Sequence, residues 1–173
     1  MDLYRTENML WYAVQTNSRH EQVVYDRLSR KNFEAFFPKI EVWSKRKDRR
    51  KRIEVPLFRG YLFLHCRLHD ENWLNILKTP GLARVIGFSE GPTPIDEEEI
   101  NSIKILLDND TVINPCEFLK VKREVRIVNG PLAGVEGVLL KTDEKKNKLV
   151  VSVTLLQRSI CVEVDAIDVE PII

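Results

Sequence analysis

The sequence predicts an α+β domain followed by a small all-β domain. Over the first hundred residues, β-rich runs alternate with stretches of helical periodicity, which is typical of a sheet with helices packed against it. After residue 115 only short β-rich runs separated by turns remain. A polar segment ending in Asn-Pro, residues 108–115, lies between the two. We therefore predict one domain at residues 1–108, a linker at 109–116 and a second domain at 117–173.

Composition indicates a folded globular protein. Hydrophobic residues make up 43% of the 173 residues and charged residues 31%, with a net charge of only +1. The three cysteines, Cys66, Cys116 and Cys161, are far apart and odd in number, so no disulfide framework is expected. No apolar run approaches the roughly 18–20 residues of a membrane span, and the N-terminus lacks the apolar segment of a secretion signal. We expect a cytoplasmic protein without membrane contact.

Alternating strands and helices are predicted in the N-terminal domain. A strand at residues 10–16 precedes a helix at 19–31, which Asn17 and Ser18 can cap. Asp96, with Glu99 three residues later, has the capping-box spacing that begins the last helix. The other predicted elements are strands at 35–42 (with Pro38 at an edge or bulge), 60–66 and 82–86, and a helix at 70–78.

Five short strands are predicted in the C-terminal domain, which is typical of a small barrel. Their many β-branched residues are poor helix formers, so we expect strands and not helices here. The runs lie at residues 125–128, 135–140, 149–155, 160–164 and 167–171.

Two adjacent stretches suggest a binding surface. Residues 56–65 read PLFRGYLFLH and hold three aromatic side chains, Phe58, Tyr61 and Phe63. Just before them, residues 45–52 read KRKDRRKR, in which seven of eight side chains are basic. Residues 43–55 are predicted to form a solvated β-hairpin with this basic run near its tip. Such a charged tip cannot pack into a core, so it is either free or a binding surface.

Four stretches resemble NusG-type transcription elongation factors. They are WYAVQTNSRHEQVV (11–24), PLFRGYLF (56–63), KTPGLARVIGFSEGPTPIDEEEI (78–100) and the KOW-like VRIVNGPLAGVEGVLL (125–140), in the order of that family. The resemblance implies an NGN-type antiparallel sheet flanked by helices, linked to an all-β KOW (SH3-like) five-stranded barrel. Trp43 with the basic arm, and LLQRSICVEVD (155–165), are similar to the specialised RfaH and UpxY-type members.

The resemblance implies a factor that docks on the clamp helices of RNA polymerase and suppresses pausing. Its KOW domain would recruit Rho or a ribosomal protein, and the factor would act as a monomer without cofactor or enzymatic activity. The expected docking residues are Phe58, Tyr61 and Phe63, with Phe36 or Phe37 and Trp73 beside them. The alternative is that these aromatics form ordinary core, and that Trp73 packs its helix. Arg59 stands where most relatives have proline.

Further contacts are implied with DNA and with a KOW partner. The basic run would contact phosphates of upstream or non-template DNA through Lys45, Arg46, Lys47, Arg49, Arg50, Lys51 and Arg52. Asn17, Arg19 and His20 correspond by position to a loop that reads exposed non-template bases in RfaH. Leu156 and Arg158 lie where the family presents an apolar loop to partners. The alternatives are a solvated hairpin tip, a helix cap with surface charges, and ordinary core and surface positions.

Metal and enzyme chemistry are not expected. His65, Cys66 and His69 spell H-C-x-x-H, but neighbouring residues on a strand point to opposite faces and no second cluster completes a site. We therefore expect an elongation or antitermination factor for selected operons, such as polysaccharide loci. The alternatives are a housekeeping NusG and a ribosome- or RNA-binding KOW protein.

Overall fold

A computed structural model describes residues 8–44, 51–88, 91–109, 112–116, 124–141, 147–153, 156–165 and 168–172. Contacts within the chain form two compact units, Met1–Ile95 and Asp96–Ile173. The division precedes the last helix, whereas the sequence places the linker after it, at residues 109–116. The domain boundaries taken from the sequence remain a prediction.

The first unit alternates short strands with two helices. In chain order it contains β1 (Leu10–Thr16), α1 (Glu21–Arg30), β2 (Glu34–Phe36), β3 (Lys39–Trp43), β4 (Arg52–Pro56), β5 (Tyr61–Cys66), α2 (Asp70–Leu77), β6 (Leu82–Val85), β7 (Gly87–Phe88), β8 (Gly91–Pro92) and β9 (Pro94–Ile95).

An antiparallel sheet of order β2-β5-β1-β6, with β9 also paired to β1, organises this unit. Tyr12 stands opposite Leu64 and Ala13 opposite Phe63. Because directly opposed residues share a face, these two pairs lie on opposite sides of the sheet. On one side, the sheet packs against residues of α1 and α2, and the buried residues of this cluster are Tyr12, Val14, Val24, Leu28, Leu62, Leu64, Cys66, Leu68 and Ile76. We call this cluster the helix-side core.

Two local predictions for the first unit are wrong. The predicted strand at 35–42 is divided at Pro38 into β2, which joins the main sheet, and β3, which pairs with β4 in a separate two-stranded sheet of the described residues. Proline has no N–H to donate to a ladder, so the strand changes partners there. The N-cap of α1 is His20, without a side-chain cap, in place of Asn17 and Ser18. Arg19 adopts a left-handed conformation (φ 61°) and turns the chain before the helix begins.

The second unit is built on six antiparallel strands. It contains α3 (Glu97–Asp108), β10 (Asn114–Cys116), β11 (Glu124–Ile127), β12 (Glu136–Lys141), β13 (Asn147–Val153), β14 (Arg158–Val164) and β15 (Val169–Pro171). The order is β10-β14-β13-β12-β11-β15. The five strands from β11 to β15 confirm the KOW-type, β-rich fold, and β10 adds a strand within the predicted linker. Gly137 is required in β12, because a Cβ there would clash with the carbonyl oxygen of Val150.

Helix α3 begins where the sequence predicts and packs on the second unit. The Asp96 carboxylate caps it by accepting a bond from the Glu98 N–H at 3.4 Å. The helix contacts β12 and β13, and the Ser102 hydroxyl accepts a hydrogen bond from the Glu136 N–H at 2.9 Å. These contacts explain why the chain divides before α3.

The cysteine prediction is corrected by the structure. Cys66 is buried and free, whereas Cys161 is disulfide-bonded. Spacing along the chain could not reveal this bond, because a disulfide depends on proximity in space. Among the helices of the described residues, none has the length and apolar character needed to cross a membrane.

Candidate docking face and nucleic-acid interface

An aromatic cluster covers the side of the main sheet that faces away from the helix-side core. We call it the aromatic face, and it comprises Trp11, Phe36, Phe58, Tyr61, Phe63 and His65. The Phe63 ring lies 6.0 Å from Phe36 and meets Phe58 edge-on at 5.9 Å, centroid to centroid. The Trp11 ring contacts Phe36 at 6.3 Å and stacks on His65 at 4.7 Å. Tyr61 alternates with Phe63 along β5 and so belongs to the same side, as strand alternation predicts.

Burial divides the aromatic face into a base and a surface. Phe58 and Phe63 are only 4% and 0% exposed, and Trp11 is equally buried. Tyr61 and Phe36 are partly exposed. Beside Tyr61 across the ladder, Gln15 accepts a hydrogen bond from Arg84 Nε at 2.8 Å. Tyr61 therefore presents surface next to a polar, positively charged rim, on the same face of β5 as the buried Phe63.

Two predicted docking residues lie on the other side of the sheet. Phe37 and Trp73 are partly buried and pack against the helix-side core. The Phe37 ring contacts Tyr25 at 6.1 Å, and Lys39 Nζ lies 5.1 Å from its centre. The structure thus does not bring these two residues together with Tyr61, and it supports the packing alternative for Trp73.

Trp11 and His65 are members of the aromatic face that the sequence did not suggest as docking residues, and Phe36 is the one of the two alternatives, Phe36 or Phe37, that lies there. Trp11 and His65 are cross-strand partners in β1 and β5, and Phe36 is the partner of Phe63 in β2. Strand alternation could have suggested them, but only with the pairing register already known.

The structure describes the two strands of the predicted basic hairpin but not residues 45–50 between them. Strands β3 and β4 pair in register from Lys39–Pro56 to Trp43–Arg52. Lys45, Arg46, Lys47, Arg49 and Arg50 lie outside the described residues, whereas Lys51 and Arg52 are described and exposed. The Arg52 guanidinium lies 5.4 Å from the centre of the Trp43 ring and pairs with the Glu41 carboxylate at 3.2 Å.

The turn predicted to read bases is exposed and lies beside the start of β5. Asn17, Arg19 and His20 are all exposed, and His20 Nδ1 lies 2.8 Å from the carbonyl oxygen of Ser18. The Thr16 N–H donates to the carbonyl oxygen of Gly60 at 2.9 Å, directly before Tyr61. The turn and Tyr61 are therefore close in the first unit.

In the second unit, the predicted partner residues have different environments. Leu156 is only 9% exposed, whereas Arg158, at the start of β14, is exposed. Gln157 between them has a left-handed backbone (φ 51°) and makes the turn. Of the two predicted residues, Arg158 is the one presented to solvent.

The H-C-x-x-H residues make three separate contacts. His65 Nδ1 bonds to Glu34 at 2.7 Å. Cys66 belongs to the helix-side core, and its burial raises the pKa of the thiol to about 12. The His69 ring accepts a bond from the Asn72 N–H at the start of α2. Each residue thus has a local structural role.

Comparisons with known proteins identify the family. The family described as "Transcription termination factor nusG" matches residues 9–104. "Transcription termination/antitermination protein NusG" of Borreliella burgdorferi is 31% identical, with 94% of this chain and 98% of that protein covered. The protein of the same description from Campylobacter jejuni is also 31% identical, with 94% and 97% covered.

A solved structure shares the fold. It is described as "Domain interaction in Thermotoga maritima NusG", with a TM-score of 0.57, 21% identity and coverage of 96% of this chain and 98% of that one. The family match spans more than half of the chain, and the relatives are similar over nearly all of it. The chain therefore belongs to the NusG family.

Proposed function

We propose that this protein is a transcription elongation and antitermination factor that binds RNA polymerase through its N-terminal unit. The observation that carries the proposal is the aromatic face, in which partly exposed Tyr61 and Phe36 share one side of the sheet with the buried rings of Phe58 and Phe63. Family membership supports it, since relatives over nearly the whole chain are named as termination and antitermination proteins. On binding, the factor would suppress pausing or termination without making or breaking a covalent bond.

The aromatic face suits a helical partner such as the clamp helices of the polymerase. Helices dock into grooves through a few aromatic or aliphatic anchors surrounded by polar contacts. Tyr61 and Phe36 supply partly exposed aromatic area, and Arg84 supplies a cation at the rim. Phe58 and Phe63 are buried and their rings meet edge-on, and a preorganised surface of this kind loses less side-chain entropy on binding.

Nucleic-acid contacts are proposed for the basic run and the turn at residues 17–20. Lys and Arg side chains of the run would contact phosphates of upstream or non-template DNA. Asn17, Arg19 and His20 are exposed beside Tyr61, so a strand passing the docked polymerase could reach them. Arg158 is proposed to contact a KOW partner such as Rho or a ribosomal protein.

We further propose that the protein acts as a monomer at selected operons, such as polysaccharide loci. The support is Trp43 with its basic arm and the segment LLQRSICVEVD, which resemble the specialised members of the family. A general factor is the second candidate, because the full-length relatives are named simply as NusG. The third candidate is a KOW protein that binds the ribosome or RNA.

Genome-wide occupancy of the tagged protein, measured together with that of RNA polymerase, tests these candidates. We expect co-purification with RNA polymerase and occupancy confined to a few long operons, whose distal genes lose expression on deletion. Uniform occupancy across transcribed genes would show a general factor. Recovery of ribosomes without RNA polymerase would contradict polymerase binding altogether.

A further inference from the structure

Trp43 has an environment unlike that of the other tryptophans. All three tryptophans lie in the described part of the chain. Trp11 is buried in the aromatic face and Trp73 packs against the helix-side core, whereas Trp43 is 61% exposed at the end of β3. Large aromatic side chains usually bury most of their surface. Of the three tryptophans, Trp43 is therefore the one whose ring is available to a ligand.

A cation lies beside the Trp43 ring. Arg52 is its cross-strand partner, and the guanidinium carbon lies 5.4 Å from the ring centre, within the range of a cation–π contact. The guanidinium also pairs with the Glu41 carboxylate at 3.2 Å. With Arg52 beside it, the Trp43 side chain is still 61% exposed, so most of its surface remains open to a ligand. The exposed indole and a guanidinium are thus already side by side in the free protein.

Charge at the described end of the hairpin favours an anionic ligand. In sequence, residues 39–56 carry eight basic and three acidic side chains, of which Lys39, Lys51 and Arg52 are basic residues that the structure describes. Two of the three acidic groups are paired, Glu41 with Arg52 and Glu54 with Lys39 at 3.3 Å. Lys51 is exposed next to Arg52, and its carbonyl oxygen accepts the Ser44 N–H at 2.8 Å, which closes the ladder beside Trp43. A flat apolar ring beside cations matches a nucleobase attached to a phosphate backbone.

We propose that Trp43, contacted by Arg52 and flanked by Lys51, is a stacking site for an unpaired base of single-stranded nucleic acid. Bases stack on exposed aromatic rings and on guanidinium planes, while nearby cations contact the backbone. A base pair within a duplex is already stacked on both faces, so duplex DNA would use only the cations. The proposal deepens the nucleic-acid part of the proposed function and rests on that part alone, because it does not require polymerase docking.

Direct binding measurements on the full chain test the site. The probes are fluorescein-labelled 15-nucleotide oligo(dT) and oligo(rU) and a 15-base-pair DNA duplex, followed by anisotropy. We expect Trp43→Ala to weaken single-strand binding about tenfold, which is typical for loss of one stacked base, and to leave duplex binding unchanged. Trp43→Phe, which keeps an aromatic ring, should retain most of the affinity. An equal loss for DNA and RNA or a loss with one alone supports the site and identifies the strand it takes.

A matched control separates stacking from general effects. Phe88 is also an exposed aromatic, 71% accessible, but belongs to the separate β7–β8 hairpin, so Phe88→Ala should leave all three affinities unchanged. A structural role of Trp43 in the hairpin would disturb the basic run as well, and single-strand and duplex binding would then fall together. Any of three results would overturn the proposal. They are a joint loss of single-strand and duplex binding in Trp43→Ala, unchanged single-strand binding in Trp43→Ala, and no single-strand binding by the unaltered protein.

Polymerase capture by the same variants distinguishes this site from the docking face. Trp43→Ala should capture RNA polymerase like the unaltered protein when nucleic acid is absent. If capture is lost while oligonucleotide binding persists, Trp43 contacts protein and the stacking site is wrong. If the unaltered protein fails to capture polymerase but binds single strands through Trp43, the proposed docking fails and the stacking site stands.

Discussion

Phe36 lies directly opposite Phe63 across β2 and β5, with the two ring centres 6.0 Å apart and the ring planes inclined by 30°. Phe63 is completely buried, whereas Phe36 is partly exposed. The pair therefore connects the interior of the aromatic face to its surface. Because Phe63 is buried and Phe36 is partly exposed, we expect Phe63 to contribute mainly to the stability of this face and Phe36 to its contact with a partner.

Truncation of these two rings should have unequal effects on stability. Phe63→Ala should lower the free energy of unfolding by about 3–5 kcal/mol, because it leaves a cavity beneath Phe36 and Phe58. Phe36→Ala should have a clearly smaller effect, since part of its ring already touches water. Urea unfolding followed by circular dichroism measures both. Equal effects of the two substitutions would contradict the division into a buried base and an exposed surface.

A charge on the exposed part of the aromatic face should prevent docking. Tyr61→Glu should weaken binding to core RNA polymerase by at least tenfold, the scale of losing one interface hot spot. The control is Leu74→Glu, which places the same charge at a 51% exposed position on α2 and should bind normally. Binding is measured with labelled variants whose melting temperatures match the unaltered protein. Normal binding by folded Tyr61→Glu would refute the proposed docking face.

Neutralising the basic run should reduce salt-dependent DNA binding. Replacing Lys45, Arg46 and Lys47 by Gln should lower duplex affinity, and the slope of log K against log salt should shrink by roughly 0.9 for each phosphate that the variant no longer neutralises. Polymerase binding without DNA should not change. The control replaces the exposed cations Arg30 and Lys78. An unchanged slope in the triple variant, or an equal change in the control, would assign DNA binding to another surface.

Cys66 should remain an unreactive thiol well above neutral pH. Burial raises its folded-state pKa to about 12, and the thiolate is the reactive form, so iodoacetamide should label it at pH 8 only after unfolding. The unfolded thiol loses its proton at a lower pH, near its ordinary value of 9.0. Alkaline pH therefore favours the unfolded chain, and stability should fall by about 1.4 kcal/mol per pH unit between these two pKa values.

The control for this prediction is Cys66→Ala, which lacks the titrating group. Its free energy of unfolding, measured in urea at pH 8, 9 and 10, should be lower than that of the unaltered protein at pH 8. However, its decline above pH 9 should be shallower. Parallel declines in the two proteins would show that other groups cause the alkaline loss.

Local patterns in the sequence determined the types of most elements and the family. The period-2 alternation of β5 placed Tyr61 and Phe63 on one face and Leu62 and Leu64 on the other, because successive strand residues point to opposite sides. The dense β-branched residues after residue 124 predicted the strands of the KOW-type unit. The helix at Asp70–Leu77 and the cap at Asp96 also follow from local spacing.

The tertiary structure alone decided which residues share a surface. Strand pairing placed Trp11 and Phe36 in the aromatic face, and chain turns placed Phe37 and Trp73 against the helix-side core. The same holds for α3, which packs on β12 and β13, and for the base of the hairpin that sets Arg52 over Trp43. Such neighbours depend on pairing register between segments far apart in the chain. A shift of one residue would exchange the two faces of a strand, and no local periodicity specifies that register.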